Sequence, residues 1–221
     1  MEIGFAYGGV EPGRLHAHGK VVELHKVYYS ICLVGTYYLH VGLRAQATPI
    51  PGSPFKLRVE PGPAHAAATT LPRELPLPLR GTVGLAEAQG CHLVLRASDK
   101  MGNPCAIGGA KVGGGCVGDA KEHVRSQAHD RGDGTYELVW RSRRAGPLDV
   151  SVTIDGEPIL GSPFALWLLS DQPELSKTSV SGEGLARTTA GRPTTLHLAL
   201  FDVYGNVAAA APGMRFGMML V

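Results

Sequence analysis

The chain has 221 residues, 44% of them hydrophobic, with 21 Lys and Arg against 19 Asp and Glu. That is enough apolar material for a real core, and the near-balanced charge gives no electrostatic basis for nucleic acid or an anionic membrane as partner. The 30 glycines and 16 prolines make about a fifth of the chain, which favours frequent turns without reaching the ~25–30% that argues for disorder.

No apolar stretch nears the ~18 residues needed to span a bilayer. Met1-Glu2-Ile3-Gly4 lacks the basic start and apolar run of a secretory signal. In chain order, His16-Ala17-His18 would put two imidazoles on one strand face, but with no third ligand at hand an exposed loop is preferred to a metal clip. Residues 27–33 read as a strand, followed by a second in the alternation Gly35-x-Tyr37-x-Leu39-x-Val41. The phrase Ile50-Pro51-Gly52-Ser53-Pro54-Phe55 then ends one strand and starts another. Glycine permits an unusual backbone angle, serine caps the turn, and proline forbids continued pairing.

Past the proline-dense segment 71–79, residues 91–97 form an apolar strand that Asp99-x-x-Gly102-Asn103 stops. The aspartate would bond nearby amides, with Gly102 and Asn103 tolerating a left-handed turn. The segment 112–118 holds three consecutive glycines, which weaken a strand. In Thr135 to Trp140, the side chains of Tyr136, Leu138 and Trp140 share a face. After Ala145-Gly146-Pro147 comes Leu148-x-Val150-x-Val152-x-Ile154, then a hairpin turn at Asp155-Gly156. Ile159-Leu160-Gly161-Ser162-Pro163-Phe164 repeats the earlier phrase, and Phe164, Leu166 and Leu168 should enter the core. Leu198-x-Leu200-x-Asp202-x-x-Gly205-Asn206 repeats the strand-and-turn phrase. The first phrase recurs after 109 residues (Gly52 to Gly161) and the second after 103 (Asp99 to Asp202), a domain-sized period. The fold class expected is all-β: immunoglobulin-like antiparallel β-sandwich repeats.

Several patterns invite sharper readings that the local chemistry does not favour. Arg131-Gly132-Asp133 falls on a turn that needs Asp and Gly for its backbone. Asp130 and Asp133 are too few oxygens for calcium. The glycines from Gly108 to Gly113 lack the Gly-Lys-Ser/Thr ending of a phosphate loop. Arg141, Arg143 and Arg144 read as a solvated strand face. Cys32, Cys91, Cys105 and Cys116 carry no CxxC spacing, so neither zinc nor a dense disulfide framework is indicated, and a reducing compartment is the default. Cys32 and Cys91 are expected as small buried hydrophobes. No catalytic, cofactor or metal site is expected.

The residues resemble the filamin-type (actin-binding protein 280) immunoglobulin-like repeat. The resemblance rests on Asp99-x-x-Gly102-Asn103, on Asp130-x-x-Asp133-Gly134-Thr135-Tyr136, and on Gly161-Ser162-Pro163-Phe164. The opening phrase Val180-Ser181-Gly182-Glu183-Gly184-Leu185 adds to it. It divides the chain into 1–60, the later part of one repeat; 61–170, a complete repeat; and 171–221, the early part of another. The expectation is a window on a longer array whose end segments would be poorly ordered alone. The alternative, in which the two end segments pair with each other, is disfavoured.

The resemblance implies a non-enzymatic scaffold in the cytoplasm and cytoskeleton that binds proteins, with actin crosslinking only through modules outside this chain. The alternatives are an extracellular adhesion ectodomain or a substrate-binding repeat of a ubiquitin-ligase-type protein. It also implies partner binding by strand addition along an edge formed by Lys111, Val112, Cys116 and Val117 with His123, Val124 and Gln127. The consecutive glycines put a tight groove there in doubt.

Overall fold

A computed structural model describes residues 11–17, 20–42, 49–210 and 212–219. Its strands are β1 (Glu11–Ala17), β2 (Lys20–Lys26), β3 (Gly35–Leu39), β4 (Phe55–Val59), β5 (Leu79–Thr82), β6 (Cys91–Arg96) and β7 (Val112–Val117). They continue with β8 (Val124–Asp130), β9 (Thr135–Ser142), β10 (Gly146–Ile154), β11 (Glu157–Pro158), β12 (Phe164–Leu169), β13 (Ser179–Ser181) and β14 (His197–Ala199). Among the described residues there is no α-helix, and no helix long and apolar enough to cross a membrane.

The central repeat closes as a sandwich. One sheet runs β6, β9, β8; in the other β5, β12, β10 and β7 lie side by side, with β11 bonded to the far end of β10. All pairings are antiparallel except β5 with β12, where Leu79 stands beside Leu166. Alternation then decides the core. Leu93, Leu95, Tyr136, Leu138 and Trp140 from the first sheet meet Val150, Val152, Ile154, Phe164, Leu166 and Leu168 from the second. Trp140 and Phe164 touch edge to face, with centroids 5.8 Å apart. Asp155 (φ 51°) and Gly156 (φ 89°) make the expected hairpin turn between β10 and β11.

The Gly-Ser-Pro-Phe phrase does the same thing twice. Ser162 Oγ accepts a bond from the Val152 amide at 2.9 Å, and Ser53 Oγ accepts one from Val41 at 3.0 Å. The Ile159 amide donates to Val152 O, and the Ile50 amide to Val41 O, both at 3.1 Å. The glycines sit at φ +91° in both copies, where an L side chain is strained. Burial separates the copies: Phe164 is 5% exposed and Phe55 43%.

Four expectations change. Residues 27–33 are not a strand; the preceding strand is β2, which ends at Lys26. Among the described residues no strand pairs with 27–33, and Tyr28 and Tyr29 are about half exposed. Cys32 is exposed rather than buried. Asn103 does not adopt the left-handed conformation, which Gly102 takes alone at φ 83°. The glycines of β7 do not prevent its pairing with β10 from Val112 to Val117. Among the described residues the β1–β2, β3–β4 and β13–β14 pairs are separate sheets.

Candidate protein-docking edge

The exposed edge of the second sheet is β7, and the ladder fixes which of its groups face outward. The Val152 amide and carbonyl both bond on the β12 side, to Ser162 Oγ and the Ile159 amide. Backbone direction alternates along an antiparallel strand, so Ser151 and Thr153 face β7. Their partners are Gly115 and Gly113. The amides and carbonyls of Val112, Gly114 and Cys116 therefore point to the open edge.

Two of these groups are already engaged. The Val112 amide donates to Ala110 O at 3.0 Å, and the Gly114 carbonyl accepts the Ser126 hydroxyl at 2.7 Å.

β8 overhangs this edge. Ser126 pairs with Trp140 and Ala128 with Leu138, so both small side chains lie on the inward face yet remain exposed. Ser126 closes on β7: its hydroxyl reaches Gly114 O, and a Cβ on Gly114 would lie 3.4 Å from Ser126 Cβ. A Cβ on Gly114 would lie 3.3 Å from Trp140 Nε1 and 3.4 Å from Leu138 Cδ2. The indole in turn donates to Gly115 O at 3.0 Å. The glycines thus let β7 lie directly against the core tryptophan.

The residues named from sequence divide accordingly. Val112 and Cys116 lie on β7, and Val124 opens β8. Val117 is 49% exposed on the opposite face of β7, and Lys111 precedes the strand, its carbonyl bonded to the Asp155 amide. Gln127 lies on the outer face, where its Oε1 accepts from Arg141 at 2.7 Å. His123 ends a short 3₁₀ turn, Asp119–His123, beside Arg125 and Arg144. Ser126 and Ala128 were not anticipated. The alternation of 124–130 would have placed them inward, but only the overhang leaves them open.

The remaining candidates are structural. Asp133 holds Thr135 through its amide and hydroxyl, and Arg131 pairs with Glu137 at 3.0 Å, so the Arg-Gly-Asp side chains serve their own turn. Glu137 is held below the usual carboxylate range by its bonds from Arg131 and His92. Gly134 (φ +80°) packs so closely that a Cβ would collide with the Cys105 carbonyl. Tyr136 is buried in the core, its hydroxyl accepting the Ala110 amide at 3.0 Å. Arg141 is no solvated charge: it donates to the carbonyls of Ala86, Glu87 and Gln89.

All four cysteines are free thiols, and burial pushes that of Cys91 up to about 11. Among the described residues no group of three or more His, Cys, Asp or Glu could hold a metal. The side chains of His16 and His18 lie outside the described residues. A cavity of about 490 Å³, lined by Gly108, Gly109, Ala110 and Tyr136, presents no nucleophile paired with a base.

Comparison with known proteins agrees with this architecture. The family model "Filamin/ABP280 repeat" matches residues 81–165. Tripartite motif-containing protein 3 of Rattus norvegicus is 34% identical over 76 residues, covering 34% of this chain and 10% of that protein. Filamin-C of Rattus norvegicus is 27% identical over 192 residues, covering 80% of this chain and 6% of that protein. The chain thus spans a tenth or less of these relatives. Among solved structures, the Escherichia coli adhesin FdeC superposes with a TM-score of 0.58 at 16% identity, over 91% of this chain and 64% of its own. Invasin, a bacterial integrin-binding protein, gives 0.51 at 18% identity, over 90% and 37%. At these identities the likeness is one of fold.

Proposed function

We propose, from the premise that residues 81–165 form a Filamin/ABP280 repeat, that this chain is a non-enzymatic, protein-binding scaffold segment. Its central repeat takes a partner by strand addition at β7. The observation that carries this is the edge of β7, where the ladder turns the Gly114 and Cys116 amides away from β10. An extended peptide entering there would gain main-chain bonds from β7 and lay alternate side chains against β8. The 80% coverage by Filamin-C supports a cytoskeletal setting in the cytoplasm. Actin crosslinking would belong to modules elsewhere in a parent protein. A second setting, a substrate-binding repeat in a tripartite-motif protein, is supported by the 34% identity over 76 residues.

The test exploits the alternation. Proline at Cys116 removes an outward amide and should leave the β7–β10 ladder whole, whereas proline at Val117 removes an amide facing β10. Proteins captured from a cell extract by the full chain would be identified by mass spectrometry and mapped on peptide arrays. Cys116→Pro should lose peptide binding at least tenfold while melting within a few degrees of the parent. Val117→Pro should lose stability as well. Undiminished binding by Cys116→Pro would refute edge addition.

A further inference from the structure

Local turn chemistry accounts for the aspartate and glycine of Asp-x-x-Gly-Asn but leaves the asparagine unexplained. Gly102 and Gly205 supply the positive φ, at 83° and 86°, and the asparagines do not. Their side chains instead reach into the preceding repeat. Asn103 Nδ2 donates to Cys32 O at 2.8 Å, while its Oδ1 accepts the Val34 amide at 3.2 Å. Asn206 Nδ2 donates to Arg143 O at 2.8 Å, and its Oδ1 accepts the Ala145 amide at 2.9 Å. The acceptor and donor in each case belong to the segment just before β3 or β10. Cys32 and Arg143 lie 111 residues apart, as do Val34 and Ala145.

The aspartate completes each unit. Asp99 Oδ1 accepts the amides of Met101 and Asn103, both at 2.9 Å. Its Oδ2 accepts Asn103 Nδ2 at 2.9 Å and the linker amide of Gly62 at 3.0 Å. Asp202 accepts Tyr204 and Asn206 amides at 2.9 and 2.8 Å, Asn206 Nδ2 at 2.8 Å, and the linker amide of Asp171 at 3.1 Å. Each carboxylate therefore aims the carboxamide and pins the chain between repeats. Both aspartates are buried, at 5% and 0% exposure, which fits a fully satisfied joint.

We propose that this turn is an inter-repeat plug: each repeat uses it to dock on the backbone just ahead of β3 or β10 in the repeat before, fixing successive sandwiches in one orientation. The receiving site is a carbonyl and an amide two residues apart, so it asks nothing of the side chains there. Cys32 and Val34 serve as well as Arg143 and Ala145. The second joint adds Arg143 over the Tyr204 ring at 6.0 Å and Gln89 Nε2 to Asp171 Oδ2 at 3.2 Å. This inference holds whether or not β7 accepts a partner strand.

Amide hydrogen exchange by NMR on the full, isotopically labelled chain tests it. In the parent, the Val34 and Ala145 amides should be protected. If either exchanges at the rate of a free amide, the plug does not exist, and that measurement needs no variant. Asn103→Ala should then speed exchange at Val34 at least tenfold and leave Ala145 unchanged, and Asn206→Ala should do the reverse. Equal loosening of both amides by either variant, or no change at either, would overturn the proposal. Partner binding at β7 should be unaffected by Asn206→Ala, which separates this test from that of the docking edge.

Discussion

Replacing Phe164 with alanine tests the sandwich at the point where its two sheets meet. The ring is 5% exposed, enters from β12, and meets Trp140 edge to face at 5.8 Å. Truncating a buried phenylalanine costs ~3–5 kcal/mol, counting the lost transfer energy and the cavity left behind. The ring pair accounts for ~0.5–1.5 kcal/mol of the interactions removed. At ~4–8 °C per kcal/mol for a domain of this size, melting should fall by ~12–40 °C. Phe55 is the control, because it occupies the same place in the same phrase but is 43% exposed. Phe55→Ala should cost less than ~1 kcal/mol. Urea titration followed by tryptophan fluorescence is the assay, since both tryptophans, Trp140 and Trp167, lie in the central repeat. A loss below ~1 kcal/mol for Phe164→Ala, or equal losses for the two variants, would refute the burial reasoning.

Two further outcomes follow from named contacts. Ser126→Ala frees the Gly114 carbonyl for an incoming strand. At ~0.5–1.5 kcal/mol for the hydrogen bond exchanged, a peptide captured by the parent should bind ~2- to 10-fold more tightly to the variant, as read by calorimetry; weaker binding would place the partner elsewhere. Acid should loosen the turns: burial disfavours the Asp99 carboxylate, but the bonds from Asn103, Gly62 and Met101 outweigh it and hold its pKa at about 2, below the ordinary 3.8. The unfolded chain thus takes up the proton first, so this contribution is fully present above about 4 and is lost as pH falls towards 2. Asp202 is shifted in the same direction. Denaturation midpoints measured from pH 4.5 to 2 should fall less steeply in Asp99→Asn than in the parent, and parallel curves would contradict it.

Much of the sandwich is legible in the sequence because its signals are local. The period-two alternations of 135–140 and 148–154, and the Asp155-Gly156 turn, each specify geometry within a few residues. The repeated phrases give the period before any strand is placed. What escapes is set by neighbours distant in sequence. Residues 27–33 have strand-like composition, yet a strand needs another beside it. Cys32 lies in an apolar run but at a turn surface. The contact of Ser126 with Gly114 depends on β8 lying beside β7, which no spacing encodes. The asparagine's role was visible in outline, as a second polar residue retained in both copies where the turn required only glycine. Its partners, 61 to 71 residues away, were not.

The parallel pairing of β5 with β12 has a mechanical consequence. β5 stands near the start of the central repeat and β12 at its end, side by side and pointing the same way, with Leu79 to Thr82 against Leu166 to Leu169. Tension applied through the flanking segments draws β5 back along its own axis and β12 forward along the same axis. The load falls on their hydrogen bonds together, in shear, rather than opening them one at a time like a zip. The order in which the strands enter and leave the sheet thus suits the repeat to being pulled from both ends.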